Sequence, residues 1–224
     1  SINTQFPEYS PIISANGREL YFTSRRQWAT IDQNEYMSPV DNSYPEDIYF
    51  SYKDAGSTWT SPKILPLCTP FNNEASLSLT SNMNTLYVYS DSIGEGDMFF
   101  SIFGKDEFYS MLNVEQEKLN TKKWETHFVL SEDSSLIIFS SDRKGGYGGL
   151  DLWLLNKLED GTWSKPINAG KNINTASDED SPFLTLDGTA LYYATNGAES
   201  MGGFDIMKST KMNEEDWTKG TNLG

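Results

Sequence analysis

Cysteine and histidine each occur once in the 224 residues, at Cys68 and His127. One cysteine excludes an internal disulfide, and a lone Cys/His pair argues against a zinc centre or a Ser-His-Asp triad. Arginine is scarce too, at Arg18, Arg25, Arg26 and Arg143, and Lys and Arg together number 17 against 32 Asp and Glu. The formal charge of −15 repels phosphate, so neither nucleic acid nor an anionic lipid surface is an expected partner. No apolar run approaches the roughly 20 residues that cross a bilayer, so direct membrane insertion is not expected. Ser1 opens no signal peptide or lipidation motif, which fits a mature or excised piece of a longer protein. Helix-period stretches are nearly absent, and the longest, Glu107 to Leu119, is short.

Aromatic residues, at 13%, are plentiful, and so are turn formers, with 17 glycines among them. One cassette recurs four times. It opens at Glu8 as EYSPIISANGRELYF, at Glu74 as EASLSLTSNMNTLYVYS, at Glu125 as ETHFVLSEDSSLIIFSS and at Glu179 as EDSPFLTLDGTALYYAT. Each copy alternates, turns at an Asn or Asp, and returns through aromatic and β-branched residues, which predicts a hairpin. A third strand begins at an aspartate each time, at Asp47, Asp97, Asp151 and Asp205, with spacings of 50, 54 and 54 residues. A fourth follows Trp59, Trp163 and Trp217; the second repeat has Phe108-Tyr109 instead. Ile2-Asn3-Thr4, Leu119-Asn120-Thr121 and Ile173-Asn174-Thr175 recur as connectors five residues before the glutamate, counted from the asparagine.

Four short strands per unit of this length predict an all-β fold, a β-propeller of four-stranded blades. The whole chain, 1–224, reads as propeller, with units at about 1–70, 71–118, 119–172 and 173–224. Four units fit either a closed four-bladed ring or part of a larger propeller. Two units carry insertions, Arg26 to Pro45 in the first and Glu107 to Gln116 in the second, the latter expected as a helical turn or a long loop. Loops of this kind project from one face, often the binding face.

The cassettes resemble the WD40-like PD40 repeat of TolB-type propellers, most closely from Trp124-Glu-Thr-His through Ser141-Asp-Arg-Lys-Gly-Gly-Tyr-Gly-Gly-Leu-Asp-Leu-Trp. The Gly-Gly-Tyr-Gly-Gly form with Asn-Thr connectors is similar to propellers of Bacteroidota envelope proteins of the OmpA family, such as the PorE-type subunit of the type IX secretion machinery. That resemblance implies a non-catalytic scaffold binding protein partners in the cell envelope. It implies a periplasmic or outer-membrane-associated location and a place in a secretion or peptidoglycan-anchoring assembly. No OmpA-like segment lies in these residues, so peptidoglycan binding itself is not implied.

Candidate chemistry is thin. Asp54-Ala-Gly-Ser-Thr-Trp59 fits an Asp-box, a folding turn of sialidases and other glycan-handling propellers, and makes a glycan-binding or glycan-hydrolysing module the alternative. The acids that recur once per unit, Glu8, Glu74, Glu125 and Glu179 with Asp47, Asp97, Asp151 and Asp205, are expected to satisfy turn amides or link blades, since a catalytic pair would break the repeat. No catalytic residue, metal ligand or cofactor is assigned. Calcium, which takes oxygen ligands, has candidate stretches at Asp91 to Asp97 and Asp178-Glu179-Asp180, neither with EF-hand spacing. His127 is expected to pack at a strand end where Pro11 and Pro182 sit, and Cys68 to be an inert thiol. Gly145-Gly-Tyr-Gly-Gly149 precedes a strand rather than a helix, so it reads as a hairpin loop and not a phosphate site. For partner contact, Arg25, Trp28, Tyr36, Tyr44, Arg143 and Tyr147 supply the aromatic and Arg anchors typical of interface hot spots. Arg25 and Arg143 are read as equivalent, and Trp28 and Tyr44 as replaceable without loss of fold.

Overall fold

The computed structural model describes residues 2–80, 82–92, 96–104, 107–108, 111–113, 118–213 and 216–224. It is all-β, with four antiparallel sheets of the propeller-blade type. Two compact units divide the chain, Ser1–Val114 and Glu115–Gly224, with two blades in each.

Blade one runs β1 (Glu8–Ile13), β2 (Glu19–Ser24), β3 (Asp47–Tyr52) and β4 (Lys63–Ile64), hydrogen-bonded in that order. Blade two holds β5 (Glu74–Leu79), β6 (Thr85–Ser90), β7 (Asp97–Gly104), β8 (Glu107–Phe108) and β9 (Leu112–Asn113). In the second unit, blade three is β10 (Glu125–Leu130), β11 (Leu136–Ser141), β12 (Asp151–Asn156) and β13 (Ile167–Asn168). Blade four is β14 (Glu179–Leu184), β15 (Ala190–Thr195), β16 (Asp205–Thr210) and β17 (Thr221–Asn222). All four aspartates stand at the first residue of a third strand, each opposite the last residue of the second strand.

The middle strands carry most of the burial. β11 (LIIFSS) is buried at every residue and β12 (DLWLLN) at five of six, because each lies between hydrogen-bonded neighbours and packs on both faces. Within the first unit β5 packs across β1, β2 and β3, and within the second β14 packs across β10, β11 and β12. Ile138, Leu152, Leu154, Leu191, Tyr193 and Trp217 form the core there. Each such aliphatic side chain contributes about 1.5–3 kcal/mol on removal from water.

Every first strand is broken by a bulge, as between Tyr9 and Ile12, Glu125 and Phe128, and Asp180 and Phe183. Ser10 and Ser181 take positive φ there, +48° and +52°, and such bulges add local twist. His127 falls at the position of these serines, one residue before the counterpart of Pro11 and Pro182 that the sequence suggested. Its Nδ1 lies 2.9 Å from Asp180 Oδ1, so it joins β10 to β14 across two blades.

The tryptophans after each third strand form isolated bridges, Lys53 to Trp59, Lys157 to Trp163 and Lys211 to Trp217. Blade two replaces this bridge with a longer hairpin in which Phe103 pairs with Phe108, and Phe108 is fully buried against Tyr21 and Phe103. Of the expected helical turn or loop at Glu107 to Gln116, 107–108 and 112–113 are strands; 109–110 and 114–116 lie outside the described residues.

Candidate functional site

A glutamate opens every blade, and each one grips the connector that precedes it. Glu8 accepts the Thr4 N–H at 3.2 Å and its hydroxyl at 2.6 Å. Glu74 does the same to Thr69 at 3.2 and 3.0 Å, Glu125 to Thr121 at 3.1 and 2.9 Å, and Glu179 to Thr175 at 2.8 and 2.6 Å. One carboxylate thus holds both the backbone and the side chain of the connector threonine. The remaining connector is Leu67-Cys68-Thr69, hidden from a search for asparagine. Asn174 accepts the Leu152 N–H at 2.8 Å and donates to its carbonyl at 2.9 Å. Cys68 Sγ takes the same two roles toward Ile48, at 3.2 and 3.8 Å.

Two blades add an arginine to this clasp. Arg143 reaches Glu125 at 2.9 Å, the carbonyls of Lys118 and Leu119 at 2.8 and 3.1 Å, and Ser141 Oγ at 3.1 Å. Its guanidinium lies 4.4 Å from the Phe139 ring centroid and 5.7 Å from that of Trp153. Arg26, not Arg25, repeats the pattern, with Glu8 at 2.9 Å, the Ile2 carbonyl at 2.9 Å, Ser24 Oγ at 3.0 Å and the rings of Tyr49 and Phe22. The sequence pairing of Arg25 with Arg143 is one residue out, because the motif counts from the serine that ends the second strand.

Arg25 has a separate task. It donates to Tyr9 Oη at 3.2 Å, Ser43 Oγ at 2.7 Å, the Tyr44 carbonyl at 3.1 Å and Glu46 at 2.5 Å, fastening both ends of the Arg26 to Pro45 insertion. The insertion carries one 3-10 turn, Asn34–Tyr36, over the fully buried Gln33, which bonds the Trp28 N–H and the Pro70 carbonyl. Trp28 packs on the first-unit core and donates its indole N–H to Asp47 at 2.6 Å. Replacing it is therefore expected to cost stability, contrary to the sequence reading. Tyr44 meets Phe6 edge-on and bonds Asn34. Tyr36 is 43% exposed and Phe71, its ring centroid 5.9 Å away, is 55% exposed. Arg25, Trp28, Tyr36 and Tyr44 thus share one loop region of the first unit. Arg143 and Tyr147 belong to the second, where Tyr147 is exposed on the glycine loop.

That glycine loop folds around Asp151. The carboxylate accepts the N–H groups of Tyr147 and Gly148 at 2.6 and 3.0 Å and the Asn168 amide at 2.7 Å. A Cβ on Gly146 would stand 2.5 Å from Asp151 Oδ2, and one on Gly148 only 2.0 Å from the Ser177 carbonyl. Asp205 receives Met201 N–H and Asn222 in the same way. Asp97 begins β7 half-buried. Asp47 differs, for Ile64 stands in the register of Asn168 and Asn222. One of its oxygens takes the Trp28 indole, while Oδ1 has no hydrogen-bond partner among the described residues.

Among the described residues, one group of acids and thiol has donor atoms within 4.8 Å of one another, Asp47, Cys68 and Glu74, all buried. Counting His and Cys alone overlooks it. Cys68 is spent on Ile48 and Glu74 on Thr69. Burial pushes the Asp47 carboxyl up to about 8, against the Trp28 hydrogen bond, and Glu74 up to about 7, against those from Thr69. Of the calcium options, 93–95 lie outside the described residues. Asp178, Glu179 and Asp180 each serve separate protein donors: Leu150 and Asn196, the two threonines, and His127 with Thr126. The Asp-box is a hairpin turn whose Asp54 accepts the Gly56 and Thr58 N–H groups, both at 2.9 Å.

No protein-family model matches the chain, and no curated protein does. Solved structures do. TolB from Acinetobacter baumannii is similar over 97% of this chain and 44% of its own, with a TM-score of 0.60 at 10% identity. A putative TolB from Agrobacterium tumefaciens is similar over 99% and 82%, at 0.52 and 14%. The Pseudomonas aeruginosa periplasmic gluconolactonase is similar over 95% and 56%, at 0.51 and 9%. The chain spans less than half the length of the Acinetobacter TolB chain. At these identities the likeness shows the fold, that of a TolB-like β-propeller.

Proposed function

We propose that this chain is a non-catalytic protein-interaction module of a bacterial envelope protein, periplasmic or outer-membrane-associated, with the loop inserted in the first blade as its contact surface. The observation that carries this reading is the division of labour inside the loop. Arg25, Gln33 and Trp28 are consumed in holding its shape, while Tyr36 and Phe71 present adjoining exposed rings and Ile31 and Val40 are exposed on the same insertion. A rigid loop with aromatic anchors loses little entropy on docking. The glutamate of each blade holds its connector threonine, and Asp151 and Asp205 hold loop N–H groups, so most of the recurring acids are engaged in seating the blades. A periplasmic component of a secretion or peptidoglycan-anchoring assembly, as in PorE-type proteins, is the finer form of the same proposal.

The test is capture of envelope proteins on the immobilised chain, read by mass spectrometry. Tyr36→Ala with Phe71→Ala should lower capture by roughly tenfold or more, with an unchanged unfolding midpoint. Unaltered capture would sink the assignment. The same two rings suit sugar stacking, and binding on a glycan array with no protein captured would favour the glycan reading.

A further inference from the structure

Blade four has the clasp but not the arginine. Gly197 occupies the position of Arg26 and Arg143, as its N–H shows: it donates to Thr195 Oγ1 at 3.1 Å, just as the Arg143 N–H donates to Ser141 Oγ at 3.2 Å. Beside Gly197 lies a cavity of about 270 Å³ whose walls include Ile173, Thr175, Tyr193, Thr195 and Met207. These walls correspond position by position to the surroundings of Arg143. Tyr193 and Met207 pair as Phe139 and Trp153 do under the guanidinium, Thr195 stands for Ser141, and Ile173 for Leu119. We propose that this pocket is a guanidinium site, and that it receives an arginine side chain presented by a protein partner.

Three further observations agree. Glu179 sits behind Thr175 and Thr195, fully buried, with those two threonines as its partners and no guanidinium against it. Burial raises its pKa, whereas Glu8, which is also penalised by burial, is held below the ordinary range by Thr4 and Arg26. Two lysines line it: Lys219 turns to Glu199 at 2.5 Å and is 72% exposed, and Lys171 is exposed as well. A planar guanidinium suits the seat better than an ammonium, because it stacks on a ring while its fork meets hydroxyl, carbonyl and carboxylate together. The inference rests on the reading of the chain as a protein-binding module, but it names a different surface and a partner chemistry.

The test uses the folded chain and two small probes, N-acetyl-arginine methylamide and its lysine counterpart, followed by amide NMR. Saturable shifts at Gly197, Thr195 and Ser177 are expected with arginine, and roughly tenfold weaker binding with lysine. In Gly197→Arg the new Cβ lies 3.1 and 3.2 Å from the Thr175 and Thr195 hydroxyls, contacts that a shift of a few tenths of an ångström relieves with both hydroxyls still on Glu179. That variant should melt higher than the parent and no longer bind the probe. Tyr36→Ala with Phe71→Ala should bind it unchanged, so failure of the first-blade surface and failure of this pocket are separate results. No saturable shift, equal binding of lysine, or binding that survives Gly197→Arg would each overturn the proposal. Peptides with a central arginine should bind more tightly than the free amino acid; the reverse order would assign the pocket to arginine itself and overturn the partner.

Discussion

Blades one and three place an aspartate at the same point of the same strand and satisfy it by unlike means. Asp151 receives two loop N–H groups and an asparagine amide, and the connector behind it is ruled by Asn174. Asp47 receives one indole N–H from a loop that strays 20 residues before returning, with isoleucine and cysteine where the asparagines stand. The first arrangement uses backbone donors that cost no side-chain entropy. The second gives up donors for room, and the room is filled by a long, shaped loop. What the comparison teaches is that the scaffold tolerates a poorly solvated acid where the surface has been enlarged.

Breaking the clasps should have the largest effect. Arg143→Ala strands the fully buried Glu125 and is expected to cost about 3 kcal/mol in denaturant unfolding, and Arg26→Ala less, since Glu8 keeps some exposure. Equal losses would mean that burial does not set the difference. Trp28→Phe keeps the ring and removes the indole N–H that donates to Asp47 at 2.6 Å, with an expected loss of about 1–3 kcal/mol. Trp153→Phe should cost less, because its indole is the donor in a longer bond to the Ser141 carbonyl, 3.3 Å.

The pH dependence sharpens the contrast. An acid whose pKa is raised by folding holds its proton longer in the native chain than in the unfolded one. Its contribution is intact below the unfolded value and is lost as pH rises through the folded one. For Asp47 the window runs from the ordinary 3.8 to about 8, and for Glu74 from 4.5 to about 7. The unfolding midpoint should therefore fall between pH 5 and 8, and Asp47→Asn should flatten most of that slope. A slope unchanged in Asp47→Asn would remove the acid from the account. The smallest effect is expected from Cys68→Asn, which restores the residue of the other connectors and should move stability by no more than about 1 kcal/mol.

Much of this architecture is legible in the sequence because its markers are local. Hairpins announce themselves by alternation, and the third strands begin at the very aspartates that recur. The fourth strands shrink to two residues in blades one, three and four, and the tryptophans that flag them form bridges just outside. What stays hidden depends on function shared by unlike residues. Cys68 does the work of an asparagine through sulfur, and its threonine sits five residues from the glutamate instead of four. The Arg26–Arg143 pairing is obscured because Arg25 and Arg26 are adjacent and the register is fixed by a serine. The role of Trp28 is set by a partner 19 residues away, beyond any local pattern.

The grip of each glutamate on its own connector has a consequence for how such a chain grows. The bond spans only four or five residues, so a duplicated stretch of gene carries its fastening along and needs no matching change elsewhere. Copies can be added, lost or individually decorated, one with a long loop and another with a glycine in place of an arginine, while the stitching that seats each of them is inherited whole.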